Sequence, residues 1–114
     1  MNNALRKTAV GLFFAGMIGF VTIPAAAQQV SLSTTIKNKT FQPSVLKAPA
    51  NRPIVITIHN ADGAAAEFES SDFHREKVIQ AGGEVTVFVG PLDAGTYEFF
   101  DDLHPQNRGH LIVK

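Results

Sequence analysis

Hydrophobic and polar positions alternate along most of this chain. Val30, Leu32, Thr34 and Ile36 are separated by polar neighbours, and Ile54, Ile56 and Ile58 alternate with Val55, Thr57 and His59. Val85, Val87 and Val89 alternate with Thr86 and Phe88; Tyr97 to Phe100 is rich in aromatics, and Leu111 to Val113 forms a short closing run. A period of two in β-branched and aromatic residues predicts strands. Turn residues punctuate the runs at Asn38-Lys39-Thr40, at Ala48 to Pro53, and at Asp62-Gly63, Gly82-Gly83, Gly90-Pro91, Ala94-Gly95 and Gly109. After residue 27 no apolar pattern of helical spacing lasts longer than a turn or two. The expectation is an all-β domain, an antiparallel sandwich of short strands. Gly63 to Phe73 is the least regular stretch. Ala64-Ala65-Ala66-Glu67 could open a helical turn, but Glu67-Phe68-Glu69 reads as a short strand. Its parity puts both glutamates on one face and makes Phe68 a core anchor.

The first residues follow a different pattern. Arg6 and Lys7 precede an apolar run from Val10 to Ile23, and Pro24 leads into Ala25-Ala26-Ala27. This is the layout of a secretory signal peptide cleaved after Ala27. The rival reading is an uncleaved N-terminal membrane anchor, against which the run is short for a spanning helix; after cleavage no stable membrane insertion is expected. The expected division is residues 1–27 as signal peptide and residues 28–114 as one domain, small enough to fold without much margin. Ten basic and ten acidic side chains balance over the full chain; without Arg6 and Lys7 the remainder is slightly acidic and has no basic run. Nucleic acid is therefore not an expected partner. There is no cysteine, so no disulfide supplements the core.

Candidate chemistry gathers at Asp101-Asp102-Leu103-His104-Pro105. On a strand ending near residue 100, Tyr97, Phe99 and Asp101 face one way and Glu98, Phe100 and Asp102 the other. Carboxylate with imidazole suits several transition metals without choosing among them, and acidic turns also occur without a metal. Asn60 reads as a structural hydrogen-bonder tying loops together. His59 is expected on an outer face, and His74 and His110 at the surface. Tyr97, Phe73, Phe88 and Phe99 read as core or rim packing. Glu76, between Arg75 and Lys77, is expected to pair with a neighbouring cation. Ser70 and Ser71 lack a nucleophile motif, no phosphate-binding glycine loop is present, and hydrolase activity is not expected.

The run Tyr97-Glu98-Phe99-Phe100-Asp101-Asp102-Leu103-His104-Pro105, with Asn107 and Gly109 after it, resembles the C-terminal ligand loop of the cupredoxins. Val55 to Gly63 is similar to the cupredoxin strand that ends in Asn before the first ligand, and Gly90 to Tyr97 to the turn before the last ligand strand. The likeness spans about Phe41 to Lys114. It implies a Greek-key β-sandwich of cupredoxin type, with Asp101 at the cysteine position, Glu67 at the first histidine position, Asn107 at the methionine position, and His104 retained. Glu67-Phe68-Glu69, Arg75-Glu76-Lys77 and the Asp-Asp-x-His-Pro loop further resemble a cysteine-free group that accompanies bacterial high-affinity ferrous-iron permeases.

The resemblance thus implies a periplasmic protein that binds iron or copper through Glu67, Asp101 and His104, with Glu69, Asp102 and Glu76 as further candidates. It implies support of an inner-membrane iron permease, together with other periplasmic components of the same uptake system. A blue-copper centre of type 1 is not expected, because that centre needs a thiolate. The ligands leave open whether the protein only binds the ion or also oxidises it in a ferroxidase-like step. A metal-free docking module is a separate reading, and electron transfer a third.

Overall fold

The computed structural model describes residues 16, 18–24 and 27–114, and the expected signal segment therefore lies largely outside the described residues. Among the described residues no helix is long and apolar enough to cross a membrane. Nine strands follow in order among the described residues: β1 Val30–Lys37, β2 Thr40–Gln42, β3 Val45–Ala48, β4 Ile54–Asn60, β5 Ala66–Ser70, β6 Arg75–Ile79, β7 Glu84–Val89, β8 Gly95–Asp101 and β9 His104–Val113. They form two sheets, one ordered β2-β1-β4-β7 and the other β3-β9-β8-β5-β6. The alternation that marks β1, β4 and β7 does what the pattern predicts: Ile54, Ile56 and Ile58 are buried while Val55 and Thr57 are only partly covered.

The β-sandwich expected from the sequence is present, but it is not purely antiparallel. β1 pairs in parallel with β4, and β3 in parallel with β9. Both are long-range pairings, and strand alternation is the same for either direction. Three further expectations are corrected. His104 does not lie on a loop; it opens β9, which leaves Asp102 and Leu103 as the whole turn. Gly109 is not turn punctuation but a buried position inside β9. Phe88 is 60% exposed on the outer face of β7, since Val87 and Val89 take the core side.

Between the sheets, Phe41, Phe68 and Phe99 form one aromatic cluster, with Phe99 centred 4.9 Å from Phe41 and 5.3 Å from Phe68. Isoleucines 36, 54, 56, 58 and 79 surround it. β6 and β7 are edge strands of opposite sheets. Arg75 on β6 closes that flank by donating from Nε to the Phe88 carbonyl of β7 at 2.8 Å. Lys77 pairs opposite Phe68 and so leans over the same inner side, whereas Glu76 pairs opposite Glu69 and faces out. Charges aimed inward at an edge strand discourage the addition of another strand.

Candidate metal centre

β5 supplies the centre of the site. Phe68 is fully buried, so Glu67 and Glu69 project from the outer face of the five-stranded sheet. β6 places Glu76 directly across from Glu69, and the turn after β8 brings in Asp102. Glu67, Glu69 and Asp102 each offer a carboxylate oxygen, and these oxygens all lie within 4.8 Å of one another. It is the one such group of three found among the described residues. No ion pair among the described residues involves these three carboxylates or Glu76. The cation expected beside Glu76 is absent because Arg75 and Lys77 alternate to the other side of β6; Glu76 meets Glu67 instead.

Proton affinities record this crowding. The Glu67 carboxyl is raised from 4.5 to about 7 by its hydrogen bond with Glu76, by desolvation and by the charges of Glu76, Asp102 and Glu69. Glu69 is raised as well, first by desolvation and then by the Asp102 and Glu76 charges. A carboxyl that holds its proton more tightly folded than unfolded favours the folded state at low pH. That stabilisation is complete below about 4.5 and is lost as pH rises through about 7. Thermal melts of the protein are therefore expected to fall in midpoint between pH 5 and pH 8. In Glu67→Gln, which removes the titrating group, the slope should flatten; an equal slope in both proteins would dismiss the cluster as its source.

Asp101 belongs to the opposite face. It is fully buried beside Phe68, its partner in the β5–β8 ladder. One carboxylate oxygen, Oδ1, accepts the Glu67 amide at 2.9 Å and the Leu103 amide at 3.0 Å. Oδ2 lies 2.8 Å from His104 Nδ1. His104 is 26% exposed, and with Asp101 it borders a cavity of about 370 Å³ whose wall includes Ile36, Lys39, Asp62 and Ala65. The strand parity that separates Asp101 from Asp102 therefore holds. The trio implied by the resemblance is divided: Glu67 turns outward with Glu69, Glu76 and Asp102, while Asp101 and His104 stay together inside. The register Phe68↔Asp101 is the physical reason, because it places Phe68, not Glu67, on Asp101's face.

The remaining candidates are dispersed. His59 is exposed on β4, His74 is exposed in the turn before β6, and His110 lies 3.5 Å from Glu98 on the outer face of β9. Asn60 ties loops together as expected: Nδ2 reaches the carbonyls of Ala64, Ile79 and Gln80, and Oδ1 accepts the Asp62 amide. Asn107 is buried and accepts the Phe41 amide at 2.9 Å through Oδ1. Its Nδ2 has no partner among the described residues. Sequence reasoning missed this last link; a lone Asn in a polar run carries no sign of its strand's register.

What this arrangement can hold follows from its donors. A type 1 copper centre requires a thiolate, and the chain contains no cysteine, so that centre is ruled out. Clustered carboxylate oxygens fit harder cations. A family model described as a cupredoxin-like domain matches residues 9–113. An uncharacterized protein of Rickettsia prowazekii is 38% identical over 85 residues, which cover 74% of this chain and 68% of that protein. The Cu(I)-bound metal-binding domain of the Streptococcus pneumoniae D39 Cu(I)-exporting P-type ATPase CopA superposes with a TM-score of 0.67 at 18% identity, over 82% of this chain and 91% of that one. A purple cupredoxin from Nitrosopumilus maritimus gives 0.60 at 18% identity, over 73% and 99%. Amicyanin from Paracoccus versutus gives 0.60 at 17% identity, over 81% and 85%. At such identities these likenesses speak for the fold alone.

Proposed function

Because this chain belongs to the cupredoxin-like domain family yet has no thiolate to offer, we propose that it is an exported metal-binding protein that takes iron, or else copper, as a hard cation on carboxylates. The observation that carries this reading is the convergence of Glu67, Glu69 and Asp102 within 4.8 Å, with no ion pair to any of them among the described residues. Oxygen donors of this kind favour Fe(III) or Cu(II) over Cu(I). Glu76 is the nearest further carboxylate. The signal-like N-terminus supports a periplasmic location. The resemblance of Glu67-Phe68-Glu69, Arg75-Glu76-Lys77 and the Asp101 to Pro105 loop to iron-permease companions supports delivery to an inner-membrane iron permease. The ion is then cargo, and a ferroxidase-like step is an addition that binding itself does not need.

Calorimetric titration of the purified protein with Mn(II), a redox-stable stand-in for iron, and separately with Cu(II), tests this. Binding should tighten from pH 5 to pH 8 as the cluster gives up its protons, and the heat should depend on the buffer's ionisation enthalpy. The double variant Glu67→Gln/Asp102→Asn should lose at least about tenfold in affinity, the scale of one lost charged ligand. Unchanged affinity in that variant would remove the site.

A metal-free docking module is the second reading. Val78 and Leu103, 53% and 51% exposed, flank the same carboxylates and would give a basic partner an apolar foothold. Metal analysis of protein purified without added ions separates the two.

A further inference from the structure

We propose that Asp101 is the positioning residue of the carboxylate site: it assembles the outer cluster from the inner face of the sheet without touching the cation. The inference rests on the outer-face reading given above. It begins from where the β5–β8 ladder ends. Regular pairing stops at Phe68↔Asp101, and the β8–β9 register shifts between Phe100 and Asp101. One ladder bond remains beyond that point, from the Asp102 amide to the Glu67 carbonyl at 2.9 Å. The Glu67 amide points the same way, where a further rung would need a carbonyl, but the chain is already turning. Asp101 Oδ1 stands in for that carbonyl at 2.9 Å.

The same oxygen also accepts the Leu103 amide at 3.0 Å. Asp102 is therefore pinned from both sides: its own amide is bonded to Glu67, and its successor's amide to the carboxylate that holds Glu67. Alternation then turns its side chain outward, onto Glu67 and Glu69. The second oxygen, Oδ2, faces His104 Nδ1 at 2.8 Å. With that oxygen accepting, Nδ1 carries the proton that faces Asp101. A fully buried carboxylate with all three of these links is occupied by the protein's own donors, which is the behaviour of an outer partner that orients ligands.

Two variants separate positioning from ligation and from simple loss of fold. Asp101→Ala removes all three links. Asp101→Asn keeps one oxygen for the two amides but presents an NH₂ to His104, which must then accept at Nδ1 and carry its proton on Nε2. With Glu67, Glu69 and Asp102 intact, Asp101→Ala should weaken Mn(II) binding by about 10–100-fold, the usual effect of losing an outer partner. Asp101→Asn should restore most of that affinity while the ¹⁵N spectrum of His104 switches tautomer. Wild-type affinity in Asp101→Ala overturns the proposal. So does Asp101→Asn binding as weakly as Asp101→Ala with its His104 tautomer switched, because an Asp101 oxygen would then be acting as a ligand. If Asp101→Ala does not fold, the Asn variant decides through its tautomer and through hydrogen exchange at Glu67 and Leu103. Those amides should stay protected; fast exchange there with the native tautomer overturns the proposal. If the unaltered protein binds no Mn(II), the outer-face reading fails by itself, and the same exchange and tautomer measurements still decide what Asp101 holds.

Discussion

Gly109→Ala is expected to be the most damaging single-methyl change in this protein. A Cβ at position 109 would overlap the Cε2 and Cζ edge of the Phe99 ring and lie 2.7 Å from the Ser44 carbonyl. Neither neighbour can yield. Phe99 is fully buried and locked edge-on against Phe41, and the Ser44 carbonyl accepts the His110 amide at 2.8 Å. Inserting a methyl into a packed core typically costs about 1–3 kcal/mol; with backbone on one side and a trapped ring on the other, the upper end applies. A domain of this size has only some 5–10 kcal/mol in total, so the urea midpoint should drop steeply. Adding Phe99→Leu, which clears the ring edge, should return part of the loss. Additive effects of the two changes would show that the ring is not the obstacle.

Asn60→Ala is expected to cost on the order of 3 kcal/mol, since it removes four hydrogen bonds of a fully buried side chain, including the buried one to the Ile79 carbonyl. Asn60 Nδ2 serves Ala64 O at 2.8 Å, Ile79 O at 3.1 Å and Gln80 O at 3.3 Å, and Oδ1 holds the Asp62 amide at 3.0 Å. Asn60→Asp is nearly isosteric but should be worse, because it aims a carboxylate at three carbonyl oxygens. Thermal melts of the two variants rank them, and limited proteolysis between Ala61 and Ala65 reports the freed loop. An Asp variant as stable as the native protein would show that the donor end of Asn60 carries little of the load.

Asn60 also shows how far the sequence reaches. Its role is legible because a buried-strand alternation ends on it, just before a turn that needs donors. β1, β4 and β7 are legible for the same reason, as is the splitting of Asp101 from Asp102. β2 and β3 are too short to establish a period, and in β6 every residue before Ile79 is exposed, so alternation leaves no trace there. The members of the acidic cluster were individually visible: Glu67, Glu69 and Asp102, with Glu76 beside them, all stand out in the sequence as candidate carboxylates. Their grouping was not. Whether Glu67 shares a face with Asp101 depends on the register between two strands, and register is set by which side chains fill the space between the sheets. The parallel pairs and the demand for glycine at position 109 are hidden for the same reason.

β6 carries glutamate on one face and Arg75 and Lys77 on the other. A slip of one residue along β5 would swing both cations to the outside, next to Glu67 and Glu69, and neutralise the patch with charges the strand already owns. It would also turn Glu76 inward, expose the fully buried Ile79 and release Arg75 from Phe88. Apolar packing and edge hydrogen bonding therefore hold the strand against an electrostatic pull toward self-neutralisation. The open negative charge of this face belongs to the alignment of one edge strand rather than to the composition of the chain, and a bound cation would relieve a tension that the fold itself maintains.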